Sequence, residues 1–303
     1  MRLVADIGGT NARVALCANG VIDKGSVRRF SNAEWDSLND LLRAYRDDHR
    51  NAFVDEMVIA VAGPVHGRRA KLTNRKWTIG ANDLAEAFSC KRVVLLNDLG
   101  ALGYAVPMLT ADQVAPLCGQ LSPRYDNGQA LVVGIGTGCN ISQVITKDQW
   151  TVCPPAEAGH ISMPSAIVSE LKACGCNSDE FTTVEALFSG RGLTAFCRQF
   201  ACLEGVTGEI AIKQYGALGD NETTAAINAY ASLLGLLLRD FSLSYMPSHG
   251  TFLAGSVARA VAECAPEPLT SVFQKPCKFR LQESPSLFVV DEDGAALLGC
   301  AQF

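Results

Sequence analysis

The chain has 303 residues, with 26 Lys and Arg against 31 Asp and Glu, a net charge of −5, 48% hydrophobic residues and 19% charged. That length predicts about two domains, each able to bury its own core, and the composition excludes a disordered chain. The charge balance leaves no dominant basic face, which argues against a nucleic-acid partner.

Apolar runs followed by helix-like segments recur along the chain. Strands are predicted at Leu3–Asp6, Ala12–Cys17, Val58–Val61, Val93–Leu96, Leu131–Ile135, Ser142–Ile145, Thr251–Ala254 and Leu287–Val290. Helical spacing covers about 34–48, 81–88, 98–106, 165–173, 183–188, 192–202, 223–245, 256–264 and 294–301. This alternation predicts an α/β architecture with a substantially parallel sheet in each half. Pro/Gly punctuation near Met108 and again at Ser122–Gly128 marks a candidate boundary. The longest apolar run, Ala229–Leu238, falls short of the ~20 residues a membrane span needs and suits a buried helix. Asp6 interrupts the first apolar stretch, so no leader peptide is expected and the protein is read as cytoplasmic, with no membrane partner. The chain has 12 cysteines, but no CxxC pair, and only Cys174 and Cys176 stand close together. The expectation is reduced thiols used as small core residues, not a zinc site.

A weak internal repeat stands out. LVADIGGTNARVAL (3–16) is echoed by LVVGIGTGCNISQVI (131–145): an apolar strand, a turn of Gly, Thr and Asn, then an alternating strand. Where the first copy has Asp6, the second has Gly134. Such Gly-rich turns can be purely structural. Two of them, with exposed amides and the hydroxyls of Thr10 and Thr137, instead favour a pair of phosphate-binding concavities. No P-loop motif occurs, and Gly134–Gly138 leads into a strand, not into the helix that a dinucleotide fingerprint opens. A carboxylate at a phosphate turn needs a cation between the two anions. Asp6 is therefore a candidate to orient hydrated Mg²⁺ on a nucleotide tail, the alternative being a carboxylate that caps the turn by accepting its amides.

The run RVVLLNDLGALGYAV (92–106) is an apolar strand ending at Asn97 and Asp98, followed at once by a helix. Side chains at the carboxyl ends of strands gather where α/β sheets bind ligands. Asp98 is a candidate general base for a hydroxyl attacking phosphorus, or else a simple helix N-cap. Asn97 offers an uncharged donor and acceptor to the same molecule. In PPAEAGHISM (154–163), Glu157 and His160 flank two small residues and suit a polyhydroxylated ligand better than a metal, since no further ligands accompany them. Glu185 reads by itself as an ordinary acidic residue at a helix start.

Taken together, these segments resemble the bacterial glucokinase family of the hexokinase–actin–Hsp70 ATPase superfamily. DIGGTNAR (6–13), LLND (95–98), GIGTG (134–138), EAGH (157–160), SGRGL (189–193) and FLAGSVAR (252–259) occur in the family's order. The resemblance implies two lobes of ribonuclease-H-like, actin-like ATPase fold with a cleft between them. They would be a small lobe over 1–108 completed by a helix over 293–303, and a large lobe over 109–292. It implies ATP-dependent phosphorylation of glucose to glucose 6-phosphate with Asp98 as base. Asn97, Asp98, Glu157, His160 and Glu185 would hold the sugar. Ala5, Asp6, Ile7, Gly8, Gly9, Thr10, Gly136, Thr137 and Gly255 would face the nucleotide, with Asp6 reaching Mg²⁺ through water. The family points to a homodimer. The sequence departs from the family pattern at Cys139-Asn140, at Ala158 and at Ser256 and Ala258. The zinc-bearing cysteine cluster of the neighbouring ROK sugar kinases is not reproduced by CGC at 174–176. The alternatives are a kinase for another hexose or amino sugar, and a catalytically silent sugar sensor. The sensor is disfavoured by the presence of Asp98 and by the first phosphate strand opening the sequence.

Overall fold

The computed structural model describes residues 1–50, 52–73, 75–121, 127–201, 205–216, 221–276, 285–290 and 294–303. Contacts divide the chain into two units. The first comprises Met1–Leu109, Gln149–Cys153 and Glu292–Phe303, and the second Thr110–Asp148 and Pro154–Asp291.

The first unit is built on a mixed sheet. The strands β1 (Arg2–Ile7) and β2 (Asn11–Ala18) form an antiparallel hairpin. On the far side of β1 run β5 (Glu56–Val61) and β9 (Arg92–Asn97), both parallel to it. Short strands β3 (Val21–Ile22) and β4 (Arg28–Ser31) pair with β2. A separate three-stranded antiparallel sheet, β6 (Val65–His66), β7 (Arg69–Lys71) and β8 (Thr78–Gly80), fills the connection after β5. Helices α1 (Leu38–Asp48) and α2 (Ala81–Phe88) cover one face, burying Leu41, Leu42, Tyr45, Leu84 and Phe88 against Leu3, Ala5 and Ile7. The opposite face takes α3 (Asp98–Ala105) and a C-terminal helix, Ala295–Gln302, whose Leu297, Cys300 and Ala301 pack on Val4, Val58 and Ala60. The strand β13 (Trp150–Val152) also belongs to this unit.

The second unit repeats the plan. Strands β11 (Gln129–Ile135) and β12 (Cys139–Lys147) form the hairpin, and β14 (Thr251–Ala254) and β15 (Leu287–Val290) run parallel beside β11. The strand β10 (Val114–Cys118) closes the edge antiparallel to β15. The order β12-β11-β14-β15 thus matches β2-β1-β5-β9 in the first unit. Around this sheet lie α4 (Ser165–Ala173), α5 (Val184–Leu187), α6 (Gly190–Ala201), α7 (Gly208–Gln214), α8 (Glu222–Tyr245), α9 (Ser256–Cys264) and α10 (Pro266–Phe273). The apolar run 229–238 lies inside α8, where Tyr230, Leu234, Leu237 and Leu238 are fully buried. Among the described residues, no helix is long and apolar enough to cross a membrane.

All eight expected strands form, each within about three residues of its predicted ends. Each sheet has three parallel strands at its centre, as the alternation implies, and carries beside them the antiparallel hairpin that the repeated strand–turn–strand segment supplies. Helix α1 starts at Leu38 and not at 34, because Ser37 caps it by accepting from the Asp40 amide. The described cysteines are all free thiols. Cys202 and Cys277, most of the 122–128 punctuation and residues 291–293 lie outside the described residues.

The C-terminal helix, α11 (Ala295–Gln302), meets α3 at very close range: a Cβ on Gly299 would lie 1.7 Å from the Ala101 carbonyl oxygen. Gly299→Ala is therefore expected to destabilise the first unit by about 1–3 kcal/mol. A lowered urea midpoint, at unchanged slope, is the outcome to look for.

Candidate active site

In the first unit the parallel register puts Ile7, Val61 and Asn97 in one row across β1, β5 and β9. The turn after β1 and the Asp98 carboxylate thus leave the sheet at the same height, two strand spacings or ~10 Å apart. The turn closes when the Gly8 amide donates to the Asn11 carbonyl at 2.9 Å. Beneath it sits Asn32, fully buried. Its Nδ2 donates to the Gly8 carbonyl and its backbone amide to the Thr10 carbonyl, both at 2.8 Å. Two carbonyl oxygens that would repel a phosphate are thereby held by Asn32. Gly8 and Gly9 are half-buried, and Thr10 is exposed at the tip.

Asp6 faces Arg13 across the hairpin, Oδ2 to Nη1 at 3.7 Å, both partly buried. Sequence reading passed over Arg13, although pairing Ile7 with Ala12 makes Arg13 the partner of Asp6. Ala5 and Ile7, expected to face the nucleotide, point instead into the apolar core with no exposure. They set the height of the turn and offer no side-chain contact to a ligand.

Asn97, not Asp98, is the N-cap of α3: its Oδ1 accepts from the Leu99 amide at 3.1 Å. Its Nδ2 donates to the Gly63 carbonyl at 3.1 Å, bracing the loop after β5. Gly63 leaves no room for a side chain, since a Cβ there would lie 2.1 Å from the Lys71 carbonyl oxygen. Asp98 Oδ1 also accepts from the Leu99 amide, at 2.9 Å. Burial raises the Asp98 carboxyl above its ordinary value, and the Leu99 amide, its own amide and Asn97 only partly offset this.

In the second unit the turn after β11 closes with the Gly136 amide on the Gly138 carbonyl at 2.9 Å, while the Gly136 carbonyl accepts from Gly190 at 2.9 Å. Thr137 is exposed at its tip. The parallel pair Gly134 and Ala254 brings the start of α9 beside this turn. Gly255 there has φ +88°, and a Cβ on it would lie 2.4 Å from the Ile135 carbonyl oxygen. Only glycine fits that approach. The turn and the amino end of α9 together present amide donors of the kind that attract anions.

The remaining residues pack on the start of β12. Glu185 Oε2 accepts from the Cys139 amide at 3.0 Å, and Oε1 pairs with Arg191 at 2.6 Å. Burial and the Glu185 charge push the Cys139 thiol up to about 12, so it is no nucleophile at neutral pH. The segment carrying Glu157 and His160 lies against the same strand, where a Cβ on Gly159 would sit 1.9 Å from the Cys139 carbonyl oxygen. Ala158 and Gly159 are buried, while the Glu157 and His160 side chains are exposed. Gly136, Thr137, Glu157, His160, Glu185 and Gly255 therefore gather at one end of the second sheet. Asn140 and Arg191 are the residues there that motif reading missed as partners. Among the described residues, no group of three or more His, Cys, Asp or Glu is placed to hold a metal.

The glucokinase family profile matches residues 3–303. The chain is 26% identical to a glucokinase of Yersinia enterocolitica over 311 residues, covering 99% of this chain and 95% of that one. Its fold matches the crystal structure of a glucokinase from an Antarctic psychrotroph with a TM-score of 0.84, at 24% identity and over 99% and 97% of the two chains. It also matches a ROK family glucokinase from Streptomyces griseus solved with glucose and AMPPNP, with a TM-score of 0.62, at 19% identity and over 99% and 97%. The architecture is that of the sugar kinases of actin-like ATPase fold. The chain belongs to the glucokinase family.

The raised Asp98 carboxyl has a consequence for stability. The folded state holds its proton more tightly than the unfolded state, so stability is lost as pH rises from the ordinary carboxyl range through the folded value. Asp98→Asn should raise the melting temperature at pH 7. The difference from the parent should shrink towards pH ~4, where both side chains are uncharged. Calorimetry across that range checks it.

Proposed function

We propose that the protein transfers the γ-phosphoryl group of ATP to the 6-hydroxyl of glucose, with Asp98 as general base. Membership of the glucokinase family supports the reaction, and the observation that carries the mechanism is the partly buried Asp98 carboxylate, held by the Leu99 amide just past the end of β9 and level with the turn after β1. A base needs a proton affinity near the working pH, and burial moves Asp98 in that direction. As the sugar oxygen attacks phosphorus, a new O–P bond forms and the bond to the β-phosphate oxygen breaks. The hydroxyl proton passes to the Asp98 carboxylate, and ADP leaves.

Positioning supplies much of the rate of such a transfer. The Leu99 amide fixes the Asp98 carboxylate through its Oδ1. Asn97, Glu157, His160 and Glu185 recognise the sugar hydroxyls. Asn97 and Glu185 do so with their remaining hydrogen-bonding capacity, since each already braces backbone. Gly8, Gly9, Thr10, Gly136 and Thr137 receive the phosphates, and Gly255 admits the adenosine. Magnesium bound to the nucleotide would supply positive charge against the phosphates, with Asp6 holding it through water. The donor set fits it, because one partly exposed carboxylate, Asp6, beside turn amides suits a hydrated ion carried by phosphate oxygens.

Asp98→Asn is expected to lower turnover by about 10² or more, while equilibrium binding of glucose largely survives. Retained turnover would remove Asp98 from the role of base. Asp6→Asn should instead raise the KM for Mg·ATP and leave glucose binding nearly intact. A selective loss of glucose affinity would contradict the metal role. A coupled assay with a panel of hexoses and amino sugars decides the acceptor: Mg-dependent ADP release with another sugar and none with glucose would reassign it.

A further inference from the structure

Asn140 stands where the second phosphate turn becomes strand β12, and the roles proposed above leave it without a function. Its side-chain amide is used to capacity. Nδ2 donates to the Ala156 carbonyl at 2.7 Å and to Glu157 Oε2 at 3.2 Å. Oδ1 accepts from the amides of Ile141 at 2.8 Å and Ala158 at 2.9 Å. A carboxamide has two donor hydrogens and two acceptor lone pairs, and all four have partners. The orientation of the amide is fixed by those partners, because Ala156 presents only an acceptor and Ala158 only a donor.

Three of the four bonds reach one short segment, Ala156–Ala158. Apolar packing also seats it, with Ala158 buried in the core of the second unit and Ala156 against that core. Gly159 rests against the Cys139 carbonyl, and the His160 amide bonds back to the Glu157 carbonyl at 3.1 Å, within the turn. Glu157 is solvent-exposed, and its carboxylate accepts from the Asn140 side chain. An exposed glutamate loses rotamer freedom when it binds a ligand, and a donor that already restrains it removes part of that entropic cost.

We infer that Asn140 is a positioning residue for the acceptor sugar: it fastens the 156–158 segment to β12 and orients the Glu157 carboxylate towards the hydroxyls. The inference rests on the proposed role of Glu157 in sugar binding. No isosteric replacement keeps all four bonds. Aspartate loses both donors and places a second carboxylate beside Glu157. Alanine loses all four partners and leaves the Ala158 amide and the Ala156 carbonyl to find water.

The test uses the full-length parent, Asn140→Ala and Asn140→Asp, each checked for folding by circular dichroism. With Mg·ATP and glucose, both variants should raise the KM for glucose about tenfold or more, while kcat and the KM for ATP stay within about threefold. Asn140→Asp should be the worse of the two. Hydrogen exchange should accelerate in a peptide covering 154–163 and remain unchanged in the β11 strand. A glucose KM within twofold of the parent in both variants, or an equal rise in the KM for ATP, overturns the positioning role. Unchanged exchange in 154–163 overturns the clamp itself. If the parent shows no turnover with glucose, the proposed function falls, and the exchange experiment alone decides the clamp.

Discussion

The register of three parallel strands is the constraint on which both functional ends depend. In the first unit it aligns Ile7, Val61 and Asn97, so the turn after β1 and the Asp98 carboxylate emerge from the sheet together. A slip of one residue in β9 would exchange the two faces of that strand. Asp98 would then be carried out of line with the turn, and Val93 and Leu95 away from the core they fill. The apolar faces fix this register from both sides. In the second unit, pairing of Gly134 with Ala254 performs the same service for the Gly136 turn and the start of α9.

Beside each Gly-rich turn an asparagine side chain holds neighbouring backbone. Asn32 holds the carbonyls of Gly8 and Thr10, and Asn140 ties the segment after Ala156 to β12. A neutral amide suits both places. A carboxylate would add negative charge where phosphate or sugar must approach, and an ammonium would compete with the ligand's own cation. The duplication of the hairpin is therefore accompanied by a duplicated means of holding its surroundings, although the two asparagines occupy different positions in the repeat.

Much of the architecture was legible in the sequence, because the central strands are continuous apolar runs and helices such as α1 and α8 start at ordinary Ser and Asn caps. The three-stranded sheet over 65–80 escaped notice since HGRRAK is charged and shows no alternation. Helices α7 and α10 begin at Gly208 and Pro266, residues that read as breaks when the tertiary contacts are unknown. The parallel centre of each sheet followed from strands alternating with helices, but the antiparallel edge strand β10 did not, because an apolar strand looks the same whichever way its neighbour runs. At the candidate site the motif glycines, Asp6 and Asp98 were visible from residue type and spacing alone. Their partners were not. Arg13, Asn32, Asn140 and Arg191 reach their places through turns and registers that only the fold supplies. The buried positions of Ala5 and Ile7 follow from strand alternation around Asp6, a signal present in the sequence but overridden by motif membership.

Helix α11 packs on β1, β5 and α3, elements of the first hundred or so residues, although the segments of the second unit separate it from them along the chain. The ribosome must add everything between Leu109 and Ala295 before that face of the first unit can be covered. At ordinary elongation rates the delay is roughly 10–40 s. Throughout it Val4, Val58 and Ala60 have only α3 beside them and lack the cover of Leu297, Cys300 and Ala301, so the nascent chain exposes apolar surface that the finished enzyme conceals.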